Sequence, residues 1–170
     1  MGRSIMNGSG SWLARIGLVT ALSVTLAVLA VPSAGRAAGV TSDNAHSVSA
    51  YLMQRGIEAF NADKATQAID YLEHAVVAHP KNARAFAWLG KSHERAGRRD
   101  RAMKHYTTAL AIDPDDLKAL QWAGEAALAD GKAEDAARNL ERLRRLCSGR
   151  CPEFRALNTA VQTANKPAQP

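Results

Sequence analysis

From residue 49 to residue 150, apolar and small side chains recur three or four positions apart in short runs, and polar or turn-forming residues separate the runs. That spacing gives each run a single apolar stripe and predicts α-helices rather than strands. The first three helices are predicted over 50–61, 66–78 and 83–96, a fourth from near Asp100 to Pro114, and a sixth over 133–146. His79-Pro80 and Asp113-Pro114 end the second and fourth, because proline disfavours helical geometry in the residue before it and donates no amide hydrogen. Asn82 is placed to cap the third helix and Asp115 or Asp116 the fifth, by accepting from free amides one turn on. Ser47 or Ser49 is expected to cap the first helix, with 39–48 as a polar, aperiodic linker before it. Gly97 and Gly131 suit left-handed turns between paired helices, and Asp63 takes that place in the first pair. Past Cys151, Pro152 is well placed to open a seventh helix. Phe154, Leu157, Ala160, Val161 and Ala164 give it a stripe over 152–164, and 165–170 read as a disordered tail.

The pattern repeats. Pro80 and Pro114 stand 34 residues apart, and small residues keep the same register through a third pass beyond them: Gly56, Gly90 and Gly124, then Ala68, Ala102 and Ala136. A period of 34 with small residues at fixed offsets signals stacked helix–turn–helix units. Residues 83–116 carry it most fully, with Phe86, Leu89, Gly90, Gly97, Ala102, Tyr106, Ala109 and Pro114. Residues 49–82 carry Leu52, Gly56, Ala68, Leu72, Ala75 and Pro80, with Arg55 where a leucine is wanted. Residues 117–150 carry Leu120, Ala123, Gly124, Gly131, Ala136 and Leu140, and depart at Leu143 and Ser148.

These residues resemble the tetratricopeptide repeat. The resemblance implies an all-α fold, a right-handed α-solenoid of three helix–turn–helix repeats (49–82, 83–116, 117–150) closed by a capping helix. It also implies that partners are held on a concave groove lined by the first helix of each pair. The groove positions fall on Met53, Ile57, Phe60 and Asn61 in the first repeat. In the second they fall on Arg84, Trp88, Lys91, Glu94 and Arg95, and in the third on Lys118, Gln121, Trp122, Glu125 and Leu128. The groove is expected to grade from apolar at one end to basic and aromatic in the middle. Trp88 and Trp122 share one offset in adjacent repeats and form a candidate aromatic ledge, with Arg84, Lys91 and Lys118 supplying charge. Tryptophan and arginine are residue types that anchor protein interfaces. Some family members grip a terminal carboxylate with Lys, Asn and Arg at inner offsets. Met53 and Ile57 occupy the first two of those positions, which argues against that activity.

The ends of the chain bound its setting. Arg3 and Arg15 precede an uncharged run from 16 to 31, and small residues follow through Ala38. A positive head, an apolar middle and small residues describe a secretory signal peptide over 1–38. The run is shorter than the ~20 residues of a membrane span, so membrane attachment is expected only if the leader stays uncleaved. The chain has 22 Lys and Arg against 16 Asp and Glu, a net charge of +6, and three of the cations lie in the leader. The remainder is near +3, too mild for a nucleic-acid footprint. A periplasmic location follows from the leader, and the chain is expected to be a monomer or a weak homo-oligomer.

Both cysteines, Cys147 and Cys151, lie in the mature part. Export favours their joining as a disulfide that fixes the angle of the last helix. The alternative is a thiol or copper carrier using the same pair. The spacing lacks the following histidine of a c-type haem site. The histidines show no His-x3-His pair, so no helical zinc site is signalled. His93 reads as interior packing, His74 and His105 as solvent-side residues. No phosphate loop, nucleophile–base constellation or paired carboxylates stand out, so no catalytic residue, metal or cofactor is expected. The reading is a non-enzymatic binding protein for a protein or peptide partner.

Overall fold

The computed structural model describes residues 37–166 and contains seven helices in that range. They are α1 (Ala37–Asn61), α2 (Ala65–Ala78), α3 (Ala83–Arg95), α4 (Arg99–Ile112), α5 (Leu117–Ala129), α6 (Ala133–Cys147) and α7 (Pro152–Ala164). Residues 1–36 of the expected leader lie outside the described residues, as does most of the expected tail, while Ala37 and Ala38 begin α1. Among the described residues no helix is long and apolar enough to cross a membrane.

Local chemistry sets most of these boundaries. His79 and Asp113 end α2 and α4 in extended geometry, each just before a proline. Asn82 Oδ1 accepts from the Ala85 amide at 3.0 Å and Asp116 Oδ1 from the Ala119 amide at 2.8 Å. Those bonds satisfy donors that a helix start leaves free. Between paired helices, Asp63, Gly97 and Gly131 stand at φ 60°, 74° and 72°. Aspartate tolerates this left-handed region through its short polar side chain, so the first repeat turns without glycine.

Residues 39–48 depart from expectation. They are helical and belong to α1, which at 25 residues is about 37 Å long. Their polar composition suggested a linker, but no proline interrupts the segment. Ser49 caps nothing: it is fully buried within α1, donating to the Ala75 carbonyl at 2.8 Å and accepting from Asn82 Nδ2 at 2.9 Å. That polar tie fastens α1 to the end of α2 and the start of α3.

The helices pack as three successive pairs, α1 with α2, α3 with α4 and α5 with α6, while α1, α3 and α5 also touch in sequence. The crossings are close because the facing residue lacks a side chain. A Cβ on Gly56 would lie 2.6 Å from Leu72 Cγ, and one on Gly90 would lie 2.6 Å from the Tyr106 ring. Ala68, Ala102 and Ala136 are fully buried. Gly124 keeps the register but serves another contact: a Cβ there would strike Leu157 of α7 at 2.5 Å rather than the paired helix. The seventh helix packs on both α5 and α6, and Leu157 joins Leu120 and Leu143 in a fully buried cluster.

His93 is 1% exposed, and its ring stacks on His105 at 5.0 Å with planes 5° apart. His105 is therefore half-buried rather than solvent-facing, and its other neighbour is Phe86 at 6.2 Å. Within the described residues His93 Nδ1 and the Ser92 hydroxyl find no partner. Burial, then the His105, Arg98 and Arg101 charges, depress the His93 pKa from 6.5 to about 4.

The unfolded chain thus takes up a proton near pH 6.5 that the folded chain refuses until about pH 4. Stability present above pH 6.5 is lost as pH falls through that window. Thermal denaturation between pH 7 and 4.5 should show a falling midpoint. His93→Phe should flatten the slope whatever it does to absolute stability, and an unchanged slope would show that another group governs the loss.

Candidate functional site

The first helices α1, α3 and α5 present adjacent faces, and α7 extends the row beyond α5. Between them lies a cleft of about 520 Å³. Met53 and Ile57 of α1, Trp88 of α3 and Leu117 of α5 give it apolar walls, and Arg84, Asp113, Asp115, Asp116, Lys118 and Glu153 give it a polar margin.

The aromatic residues form a file down this row. Phe60 and Trp88 meet edge to face at 5.4 Å and 71°, and Trp88 and Trp122 at 4.8 Å and 68°. Such geometry sets the positive edge of one ring against the negative face of the next. Exposure divides the three. Phe60 and Trp122 are each 6% exposed, whereas Trp88 is half-buried and opens on the cleft. The expected ledge of two tryptophans is therefore one accessible ring backed by a buried one. Trp122 is covered in part by Lys91 and Lys118, whose ammonium groups stand 5.8 and 5.7 Å from its ring centre. Phe60 is likewise roofed by the Arg95 guanidinium at 3.6 Å.

The expected basic middle is also corrected, because each cation meets an acid of the same surface. Lys91 pairs with Glu94 at 3.3 Å and with Glu125 at 3.6 Å. Glu94 accepts the Tyr106 hydroxyl at 2.7 Å, and Gln121 donates to Glu125 at 2.8 Å. Burial, reinforced by the Glu94 and Glu125 charges and the hydrogen bond to Glu94, raises the Tyr106 pKa far above its ordinary value, so Tyr106 is a fixed donor. Lys118 pairs with Glu153 at 3.1 Å, and Arg84 approaches Asp116 at 4.0 Å. Burial pushes Glu153 upward, but its own backbone amide and Lys118 outweigh that and hold the carboxyl below the usual range.

Glu153 was not anticipated as part of this surface. It sits one residue after the helix-opening Pro152, where an acid suits the dipole of any helix. Nothing local marks it as the partner of Lys118. Near the same end, Ser148 and Gly149 take positive φ values of 52° and 70° and turn the chain from α6 into α7. The turn brings the Cys147 and Cys151 sulfurs into bonding geometry, with Cα atoms 5.7 Å apart, inside the range that a disulfide spans. Among the described residues no three His, Cys, Asp or Glu converge as metal ligands.

Helical hairpins in register, small residues at their crossings and a common face of first helices define a helical-repeat solenoid. Two sequence models of the tetratricopeptide repeat match residues 53–117 and 95–157, and the chain belongs to the tetratricopeptide-repeat family. Solved structures share the fold. The first tetratricopeptide domain of Spaghetti (RPAP3) bound to the HSP90 peptide SRMEEVD is 22% identical with a TM-score of 0.64, covering 71% of this chain and 98% of that one. The Arabidopsis OM64 tetratricopeptide domain is 16% identical with a TM-score of 0.63, covering 70% and 98%. The Yersinia enterocolitica type III secretion chaperone SycD, in complex with a peptide of the translocator YopD, is 23% identical with a TM-score of 0.58, covering 67% and 86%. Curated protein sequences give no match.

Burial separates the two tryptophans energetically. Trp122→Ala should cost about 3–5 kcal/mol, the range for emptying a packed aromatic site. Trp88→Ala should cost less than half of that, because its ring already meets solvent. Urea unfolding of the two variants checks this, and equal losses would show that both rings are structural.

Proposed function

We propose that this chain is an exported, non-enzymatic binding protein that holds an extended segment of a partner protein along the face of its first helices. The leader-like residues 1–38 support export to the periplasm. The observation that carries the reading is the cleft of about 520 Å³ walled by Met53, Ile57, Trp88 and Leu117. It joins three first helices and α7, and it offers one accessible aromatic ring beside aliphatic side chains, which is how interface anchors are built. Related folds give the idea precedent, since the Spaghetti domain and SycD were solved with peptides bound. The groove charges are already paired, so apolar and aromatic contacts supply the hold. Met53 and Ile57 replace the polar grip used for terminal carboxylates, so an internal segment fits better than a charged chain end.

A photoreactive residue at position 88 should crosslink one discrete partner in living cells, and the same residue at exposed Val77 should not. Identical products from both positions, or none from position 88, would remove the reading.

We infer further that Cys147 and Cys151 act as a structural staple rather than as a thiol or copper carrier. They flank the turn between α6 and α7, beside the buried cluster of Leu120, Leu143 and Leu157. A bond there fixes the angle at which α7 meets the array. Unreduced, denatured protein from the periplasm should show no free thiol by titration, and two reactive thiols would restore the carrier reading.

A further inference from the structure

Two histidines that the groove does not use meet beside it. His46 projects from α1 and is exposed. His79 ends α2, its amide donating to the Ala75 carbonyl and its own carbonyl accepting from the Asn82 amide, both at 3.0 Å. The two lie 33 residues apart in the chain, yet their Nε2 atoms stand 2.8 Å apart, with ring centres separated by 4.0 Å and planes inclined at 75°. At that distance one nitrogen carries a hydrogen and the other accepts it. The pair stands at the edge of a second cleft, of about 510 Å³, that Met53, Asn82, Asp113 and Asp116 also line. The meeting does not depend on the rings themselves, because the Ser49 and Asn82 hydrogen bonds already hold α1 against the end of α2.

We propose that His46 and His79 form a two-imidazole chelate for a divalent transition metal ion of the zinc, nickel or copper class, with water completing its coordination. Imidazole nitrogens are suited to these ions. Two of them bound to one ion at metal–nitrogen distances of about 2.0–2.1 Å stand about 3 Å apart at tetrahedral or square angles. The observed 2.8 Å needs only a small spreading of two side chains, one of them on an exposed surface. Opposing the site, Lys81 and Arg84 lie on the same cleft and repel a cation. Asp116 is committed to capping α5 and to Arg84. With no third protein ligand converging among the described residues, affinity rests on the two nitrogens and on the fixed geometry that brings them together. The bound ion ties α1 to the end of α2, at the end of the array opposite α7. Met53 and Ile57 follow on α1, so occupancy orders the first wall of the groove.

The test is calorimetric titration of the purified, untagged chain with zinc chloride and, separately, nickel chloride at pH 7.5. Wild type should take up about one equivalent. His46→Ala and His79→Ala should each weaken binding at least about tenfold, since even the outer partners of a metal ligand are worth that much. His74→Ala removes a histidine that sits elsewhere, bonded to the Asp70 carbonyl, and should bind like wild type. Circular dichroism of each variant before titration guards against loss of fold, and the exposed His46 side chain makes His46→Ala the safer of the two. No binding at millimolar metal by a folded wild type would overturn the proposal. So would binding that folded His46→Ala retains, or that His74→Ala abolishes.

Discussion

The array depends on what is missing at three positions. Gly56, Gly90 and Gly124 each face a large side chain so closely that a single added carbon would stand 2.5–2.6 Å from it. Leu72, Tyr106 and Leu157 fill the space thereby left, and all three are fully buried. Interiors packed this tightly transmit small changes in volume to their neighbours. The distance between helices at each crossing therefore sets where the next hairpin lies, and with it the spacing of α1, α3, α5 and α7 along the face that carries the cleft. The groove is a consequence of the crossings rather than an independent feature.

The charges follow the same logic of internal commitment. Lys91 lies between two glutamates, Lys118 against Glu153 and Arg84 near Asp116. Partly buried pairs of this kind gain little net energy, because desolvation offsets much of their attraction. Their effect here is on position. They hold Lys91 and Lys118 over the Trp122 ring and keep the Glu94 carboxylate on the Tyr106 hydroxyl. A ligand entering the cleft meets charges that already have partners, so a charged ligand would have to displace them while an apolar one would not.

Much of the fold was legible because its determinants are local. Prolines after His79 and Asp113, left-handed turns at Gly97 and Gly131, and caps at Asn82 and Asp116 act within a few residues of themselves. The small residues were legible because they recur in phase. What escaped sequence reading depends on distant partners. The helical state of 39–48 goes with the buried Ser49, whose hydrogen-bond partners lie 26 and 33 residues away. His105 looked solvent-facing on α4 because its stacking partners, Phe86 and His93, belong to α3. Trp88 and Trp122 share one offset, so the repeat pattern could not say that one would open on the cleft and the other close. The cations read as a basic stripe because sequence shows a lysine but not the carboxylate that neutralises it.

The seventh helix joins these themes. A repeat array has an apolar end that needs covering, and a terminal helix with a polar outer face meets that need. In this chain α7 does so with Leu157, which enters the space left by Gly124 and completes the cluster with Leu120 and Leu143. The same helix carries Glu153, which reaches Lys118 and forms part of the cleft margin. Capping and the make-up of the cleft margin therefore cannot vary independently. A rotation of α7 that moved Leu157 off Gly124 would also withdraw Glu153 and leave Lys118 free over the Trp122 ring. The turn at Ser148 and Gly149, which leads into α7 just before Glu153, therefore bears on both the cap and the charge at one end of the cleft.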